Sequence, residues 1–210
     1  MTSPKTGGYY SNERPDVVAL LPRPLGRVLD VGCGEGGMAA GLRTAGATEI
    51  VGIEVVEEAA ARARDTLDRV HVGRVEDSLD DLAGSFDTVL CLDVLEHLVE
   101  PGSVLRALRG RAAAGAALQV SVPNARHYSL VRDLVFRGTF GYTDWGHRDS
   151  THLRWFTRRD IVALVEDAGW EVLRTSVPPL RRSAALDRLT RGWSSEFLVA
   201  QVYVSARARG

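Results

Sequence analysis

The glycine-rich segment Asp30–Gly37, which reads DVGCGEGG, constrains the fold of this chain more than any other feature. It follows the apolar run Arg27–Leu29 and precedes the small-residue stretch Met38–Leu42, which is typical of a helix. Glycine has no Cβ, so such a turn can bend sharply and let the backbone approach a ligand. A strand, a glycine-rich turn and a helix start with free N–H groups together predict the βα unit of a nucleotide site.

An acidic residue at the end of the next strand strengthens this prediction. The run Thr48–Ile53 is strand-like, and Glu54 follows it, 24 residues after Asp30. A carboxylate in this place can accept hydrogen bonds from both hydroxyl groups of a ribose. The turn and Glu54 together therefore make a stronger signal than a glycine-rich loop alone.

Apolar runs alternate with amphipathic or alanine-rich stretches, which is the pattern of a parallel α/β sheet. The expected strands are residues 27–31, 49–54, 70–73, 86–92, 117–122, 170–177 and 197–205. The expected helices begin near Pro15 and cover residues 36–45, 56–68, 101–110 and 158–168. Thr157 is the expected cap of the last helix. We expect residues 1–210 to form a single domain.

Residues 124–157 break this alternation. They contain seven aromatic residues and three histidines. The segment predicts a lid or a pocket for the second substrate. The alternative is a helix and loop that only cover the edge of the sheet.

Composition excludes some classes of function. The 210 residues include 26 basic and 27 acidic side chains, giving a formal net charge of -1, which disfavours nucleic acid as a partner. Cys33 and Cys91 fall in or beside predicted central strands and are expected to be buried thiols. No apolar run reaches the ~18 residues of a membrane span, and no signal peptide is visible. We therefore expect a cytoplasmic monomer or homodimer without a membrane partner.

With these residues in view, the chain resembles the class I S-adenosylmethionine (SAM)-dependent methyltransferases over roughly residues 9–205. The motifs that carry the resemblance are Asp30-x-Gly32-x-Gly34-x-Gly36, Gly52-Ile53-Glu54 and Asp93-Val94-Leu95-Glu96-His97-Leu98. A further stretch, His152-x-Arg154-x-Phe156-Thr157, is similar to small bacterial enzymes that modify metabolites, sugars and natural products. The resemblance implies SAM as cofactor and S-adenosylhomocysteine as product.

The implied fold is α/β and Rossmann-like. Its seven-stranded sheet is mostly parallel with an antiparallel last strand and has helices on both faces. The helical and aromatic insertion of residues 124–157 follows the fifth strand and would form the acceptor site.

The resemblance also implies which residues hold the cofactor. Asp30 would orient the turn and the methionine part of SAM, Glu54 would hold the ribose, and Val55 would pack on the adenine. An acid after the third strand would accept the adenine amino group, and we favour Asp77 over Glu76 because a short side chain suits a turn. The backbone of the turn would approach the cofactor at Gly32, Cys33 and Gly34.

Three further cofactor contacts are implied, one after the fourth strand and two near the N-terminus. Asp93 follows the fourth strand and would lie near the methionine ammonium or the sulfonium. Residues 1–24 would fold over the cofactor as a lid. Within that lid, Tyr10 would pack against the cofactor and Arg14 would pair with its carboxylate.

Methyl transfer is an in-line displacement at an activated carbon, so the enzyme mainly aligns the acceptor and excludes water. A hydroxyl or amine acceptor must also lose a proton, a task that suits histidine. The candidate catalytic residues are His152, beside the acid Asp149, and His97. The alternative is that these two histidines have a structural role, because the motif around His152 also leads into a helix. Candidate acceptor contacts are His127, Tyr128, Tyr142, His147 and Arg154.

We expect metal independence, because no cluster of acids and amides is evident in the sequence. The predicted activity is O- or N-methylation of a small polar metabolite, such as a sugar or a secondary-metabolite intermediate. Several arginines in and after the insertion suggest an anionic acceptor, although a GC-rich genome would also explain them. They are Arg126, Arg132, Arg137, Arg148, Arg154, Arg181 and Arg182.

Two other functions remain open. An NAD-dependent oxidoreductase would use the spacing Gly32-x-Gly34-x-x-Gly37, but Asp30 directly before the turn argues against it. A SAM-binding regulatory protein without catalytic activity would keep the turn and Glu54, which report on binding alone.

Overall fold

The computed structural model describes residues 12–176 and 195–209, whose strands form one seven-stranded sheet. The strands are β1 (Gly26–Val31), β2 (Ala47–Glu54), β3 (Arg69–Val72), β4 (Phe86–Leu92), β5 (Ala112–Pro123), β6 (Trp170–Ser176) and β7 (Gln201–Ala208). Their order across the sheet is β3-β2-β1-β4-β5-β7-β6. Strands β1 to β5 are parallel, and β7 runs antiparallel to both β5 and β6. The sheet confirms the predicted fold class.

Helices connect the strands. They are α1 (Pro15–Val18), α2 (Ala39–Thr44), α3 (Glu57–Ala63), α4 (Val75–Ser78), α5 (Pro101–Arg111), α6 (Tyr128–Arg137), α7 (Arg158–Asp167) and α8 (Ser195–Leu198). Single 3₁₀ turns lie at Leu79–Asp81, Leu95–His97 and Gly146–Arg148. Among the described residues, no helix combines the length and the apolar character that crossing a lipid bilayer demands.

Apolar side chains of the central strands pack on both faces of the sheet, because successive residues of a strand point to opposite sides. On β1, Val28 belongs to one buried cluster with Val17 and Leu42, which come from α1 and α2. Its neighbour Leu29 belongs to a second cluster with Leu105 of α5. Layers on both faces hold the carboxyl ends of the parallel strands in fixed positions.

The predicted cap of α7 is confirmed. The side chain of Thr157 accepts a hydrogen bond from the backbone N–H of Asp160, and the carboxylate of Asp160 accepts one from the N–H of Thr157. This capping box satisfies two N–H groups that a helix start otherwise leaves without partners. It fixes the point at which the insertion ends and the sheet layer resumes.

The last strand begins later than predicted, at Gln201 instead of residue 197. Ser195–Leu198 is instead a short helix, and the side-chain amide of Asn124 donates to the carbonyls of Glu196 (2.8 Å) and Val199 (2.9 Å). These bonds satisfy carbonyls that a strand would have paired with a neighbour. The apolar run 197–199 therefore misplaced the predicted boundary.

Candidate active site

The candidate site lies at the carboxyl ends of the parallel strands, beside the border between β1 and β4. The chain leaves β1 toward β2 on one side and leaves β4 toward β5 on the other, which makes this border the topological switch point of the sheet. Open α/β sheets bind ligands in the crevice at such a point. A cavity of about 850 Å³ opens here, within the range of ~300–1,000 Å³ that is usual for ligand pockets.

The glycine-rich turn forms one wall of the cavity. Gly32 has a φ of 73°, and a Cβ on it would lie 2.6 Å from Cγ2 of Val94, so the position requires glycine. The N–H groups of Gly32 and Cys33 donate to the carbonyl of Ile53, at 2.8 and 3.2 Å. These two bonds tie the turn to the end of β2 and bring it next to Glu54.

Glu54 ends β2 with a buried carboxylate that is fixed by the backbone. Its Oε2 accepts a hydrogen bond from the N–H of Gly34, and its Oε1 accepts one from the N–H of Val56, both at 2.9 Å. A carboxylate oxygen can accept a second bond, so both oxygens can still receive the hydroxyl groups of a ligand. Glu54 lines the cavity, as a ribose-binding acid must.

Asp30 is the second-last residue of β1 and is also buried on the cavity wall. Burial raises the pKa of its carboxyl group to about 7, and the nearby charge of Glu54 adds to the effect. The carboxyl group of Asp30 is therefore partly protonated near neutral pH.

This shift predicts that part of the folding stability falls as the pH rises. The pKa of an aspartate in an unfolded chain is about 3.9. The contribution of Asp30 is therefore complete below about pH 4 and is lost as the pH rises through about 7, at no more than ~1.4 kcal/mol per pH unit. The variant Asp30→Asn should lack this dependence. Denaturant titrations of both proteins between about pH 4 and pH 8 measure it, and a difference that does not change with pH would contradict it.

Arg14 and Asp93 join the N-terminal segment to the cavity floor. Asp93 directly follows β4 in the left-handed conformation (φ 56°), and its Oδ2 accepts a hydrogen bond from Nη1 of Arg14 at 2.8 Å. Its Oδ1 accepts one from Nε2 of Gln201 at 2.8 Å, and Arg14 Nη2 also donates to Oε1 of Gln201 at 3.0 Å. Both predicted cofactor residues line the cavity and neutralise each other there.

His97 and His152 both line the cavity, and their rings contact each other edge to face. Their ring centroids are 4.8 Å apart with an interplanar angle of 74°. The N–H groups of Leu153 and Arg154 donate to the backbone carbonyl of Glu96, at 2.8 and 3.0 Å. The insertion is thereby bonded to the 3₁₀ turn Leu95–His97, and this bond is what brings the two candidate catalytic residues together.

Glu96 lies in the same cluster. Burial raises the pKa of its carboxyl group well above the usual range, and the charges of Asp93 and Asp149 add to the effect. Ligating atoms of Glu96, His97 and His152 all lie within 4.8 Å of one another. Metal independence was predicted because no cluster of acids and amides is evident in the sequence. This cluster is of another kind, with one acid and two histidines, and metal independence stays a prediction.

Of the five predicted acceptor contacts, His147 lines the cavity. His127 stacks on it with ring centroids 4.5 Å apart and lies outside the wall. Burial lowers the pKa of His127 to about 4, and the charge of His147 lowers it further. The pKa of His147 is lowered as well, mainly by burial. Both rings are therefore neutral at pH 7.

The other three predicted acceptor contacts also lie outside the cavity wall. Tyr128 begins α6 and packs on His127, and Tyr142 is 61% exposed. Arg154 Nη2 donates to the backbone carbonyl of Val99 at 2.5 Å. Because none of the three lines the cavity, we leave them out of the proposed acceptor site.

The acid after β3 also differs from the prediction. Glu76 lines the cavity and Asp77 does not. Val75–Ser78 forms the unpredicted helix α4, in which successive side chains point about 100° apart, so only one of the two acids can face the cavity. Val55 lines the cavity with 64% of its surface exposed. Tyr10 lies outside the described residues.

The arginines of the insertion that suggested an anionic acceptor pair with acids or backbone carbonyls elsewhere. Asp133 accepts ion pairs from Arg132, Arg137 and Arg148 at 2.9–3.3 Å, and Arg126 pairs with Glu196. None of the arginines of that set in the described part of the chain lines the cavity. Arg181 and Arg182 lie outside the described residues. Gln201 and Trp145 are among the wall residues that were not predicted as contacts, and Asp149, expected beside His152, also lines the wall.

With the geometry known, comparison with known proteins decides the family. Residues 9–175 match a family model described as a methyltransferase domain. The chain belongs to this family. Membership identifies it as a methyltransferase domain with SAM as cofactor, and it favours SAM over a nicotinamide. The predicted resemblance is confirmed.

One similar sequence is the ubiquinone biosynthesis O-methyltransferase of Xanthomonas campestris pv. campestris. It is 35% identical over 144 residues, which cover 61% of this chain and 60% of that protein. The match therefore spans about 60% of the length of this curated relative.

Solved structures share the fold of the methyltransferase domain. A SAM-dependent methyltransferase from Archaeoglobus fulgidus superimposes with a TM-score of 0.67 at 16% identity, covering 95% of this chain and 96% of that one. Magnesium protoporphyrin IX methyltransferase from Synechocystis PCC 6803 with bound SAM has a TM-score of 0.57 at 21% identity, covering 92% of this chain and 76% of that one.

Proposed function

We propose that this protein is a SAM-dependent methyltransferase that modifies an oxygen or nitrogen atom of a small polar metabolite. One observation carries the proposal. A single cavity holds the glycine-rich turn with Glu54 on one wall and the pair His97 and His152 on another. Cofactor-binding and proton-accepting groups thus share one space, as methyl transfer to a hydroxyl or amine requires.

The residues on the first wall fit SAM. A side chain at position 32 would collide with Val94, so the backbone there leaves room that only glycine provides. The carboxylate of Glu54 is held by Gly34 and Val56 and can accept the ribose hydroxyls. Asp30 and Asp93 also line the cavity, and their carboxyl groups suit the positive charges of the methionine ammonium and sulfonium. When bound, SAM supplies a methyl group on a sulfonium that is already activated for transfer.

The second wall, with His97 and His152, would bind the acceptor and accept its proton. His152 is buried beside His97 and can accept the proton of the acceptor at a ring nitrogen as the acceptor atom takes the methyl group. Trp145 and His147 also line the cavity and can position the acceptor and exclude water.

The acceptor we propose is polar and uncharged. The relative from Xanthomonas campestris bears the name of an O-methyltransferase, which favours oxygen as the methylated atom. The arginines of the insertion do not line the cavity, so they give no support to an anionic acceptor. A sugar or a secondary-metabolite intermediate with a free hydroxyl group fits this wall.

Transfer of a labelled methyl group tests the proposal. The protein is incubated with methyl-tritiated SAM and panels of sugars, phenols and amines, and label in the extracted product is counted. We expect label in at least one hydroxyl compound and stoichiometric formation of S-adenosylhomocysteine. Tight binding of SAM without a labelled product from any panel would favour the non-catalytic SAM-binding alternative.

A further inference from the structure

The carboxyl group of Glu96 has a position that methyl transfer alone does not explain. Its side chain is 1% exposed, and neither Oε1 nor Oε2 has a hydrogen-bond partner among the described residues. A buried carboxyl group without a partner is destabilising in either protonation state, because the charge or the O–H group loses its contact with water. A natural structure normally retains such a group only when it has a use.

Two imidazole rings lie next to this carboxyl group. Ligating atoms of Glu96, His97 and His152 are mutually within 4.8 Å. His97 Nδ1 lies 3.2 Å from the carbonyl of Thr151, and a carbonyl only accepts, so this nitrogen carries the proton. Its Nε2 then has the lone pair. Metal-binding histidines usually donate their other N–H to a backbone carbonyl in this way.

The three residues are held in place by the fold. Glu96 and His97 lie in the 3₁₀ turn Leu95–His97 that follows β4. His152 precedes Leu153 and Arg154, whose N–H groups both donate to the backbone carbonyl of Glu96. The 3₁₀ turn and the insertion are thus bonded to each other, which preorganises the cluster for a single ligand.

We propose that Glu96, His97 and His152 bind one divalent transition-metal ion, such as Zn²⁺, Fe²⁺ or Mn²⁺. Two imidazoles and one carboxylate suit these ions and leave further coordination positions open. All three residues line the cavity, so the open positions face the space for the acceptor. The ion would draw the ligating atoms inward, since metal–ligand bonds to nitrogen and oxygen are ~2.0–2.2 Å long.

The role of this ion rests on the proposed function. A hydroxyl oxygen of the acceptor occupies an open position, and the ion lowers the pKa of that hydroxyl so that its proton leaves to water. The oxygen then forms the bond to the methyl carbon, and the carbon–sulfur bond breaks with its electron pair on sulfur. With the ion bound, His152 acts as a metal ligand, and no separate base is needed to remove the proton of the acceptor.

Metal binding is tested directly on the full, untagged chain after treatment with a chelator. Zn²⁺ is titrated by calorimetry, and Co²⁺ is titrated while ligand-field absorption is recorded. The variants are Glu96→Gln, which keeps the shape of the side chain, and His152→Gln. The matched control is His71→Gln on β3, which lies outside the cavity wall. Titration with S-adenosylhomocysteine on each sample shows whether the variants remain folded.

We expect one ion per chain, a visible Co²⁺ spectrum, and affinity at least ~10-fold weaker in both cluster variants with no change in His71→Gln. Absence of binding by the wild-type chain, or equal binding by Glu96→Gln, would overturn the proposal. Failure of the proposed function looks different. There, the ion binds as expected while no acceptor of any panel receives a labelled methyl group.

Discussion

Replacing Glu54 by alanine should weaken the binding of S-adenosylhomocysteine by at least ~100-fold. The variant loses the hydrogen bonds that two ribose hydroxyls are proposed to donate to the charged carboxylate, each worth about 1.5–3 kcal/mol, and ~1.4 kcal/mol corresponds to a tenfold change in affinity. It also releases the N–H groups of Gly34 and Val56, which the carboxylate now holds in place. Loss of the ribose contact and loss of the preformed turn both weaken the binding of S-adenosylhomocysteine.

Isothermal titration calorimetry measures this effect, and two further variants define its cause. Glu54→Gln keeps one good acceptor and should fall between wild type and Glu54→Ala. Glu58→Gln removes an exposed carboxylate of α3 that lies outside the cavity and should bind like wild type. Wild-type affinity in Glu54→Ala would remove Glu54 from the cofactor site.

The second large effect is expected at His152. The variant His152→Gln should lower kcat by a factor of ~10²–10⁴, which is the usual contribution of a positioned general acid or base. The same direction follows whether His152 accepts the proton itself or holds a metal ion. The affinity for S-adenosylhomocysteine should stay near wild type, because the proposed cofactor contacts are the glycine-rich turn and Glu54, and His152 is proposed to act on the acceptor.

Steady-state kinetics with labelled SAM measure the effect of the variant on kcat separately from its effect on the affinity for S-adenosylhomocysteine. His71→Gln serves as the control for removal of a histidine outside the cavity. A kcat equal to wild type in His152→Gln would show that His152 takes no part in the reaction. A large loss of S-adenosylhomocysteine affinity in the same variant would show that it acts on the cofactor side.

The cofactor side of the cavity was predictable from the sequence because its signals are local. A strand, a glycine turn and a helix start occur within Arg27–Leu42, and parallel pairing of β1 with β2 brings Glu54 beside the turn. Asp93 follows the same rule, since carboxyl ends of parallel strands meet at one edge. The prediction of Asp77 was wrong because Val75–Ser78 forms the short helix α4, which has no clear sequence signal. In that helix Glu76, and not Asp77, lines the cavity.

The acceptor side was less predictable because it depends on contacts between distant segments. His152 and Glu96 meet only because N–H groups of the insertion pair with the carbonyl of Glu96. Tyr142 and Arg154 have residue types that suit a binding site, yet they pack within the insertion or bond to the backbone. Residue type and spacing do not distinguish these outcomes, since irregular backbone has no hydrophobic period to read.

The central claim is that the wall made by the glycine-rich turn and Glu54 binds SAM. Calorimetric titration of the wild-type chain with S-adenosylhomocysteine, and in parallel with NAD, tests it most directly. We predict saturable, one-to-one binding of S-adenosylhomocysteine at micromolar concentrations and no heat of binding with NAD. Binding of NAD, or of neither compound, would contradict the account and leave the turn with a purely structural role.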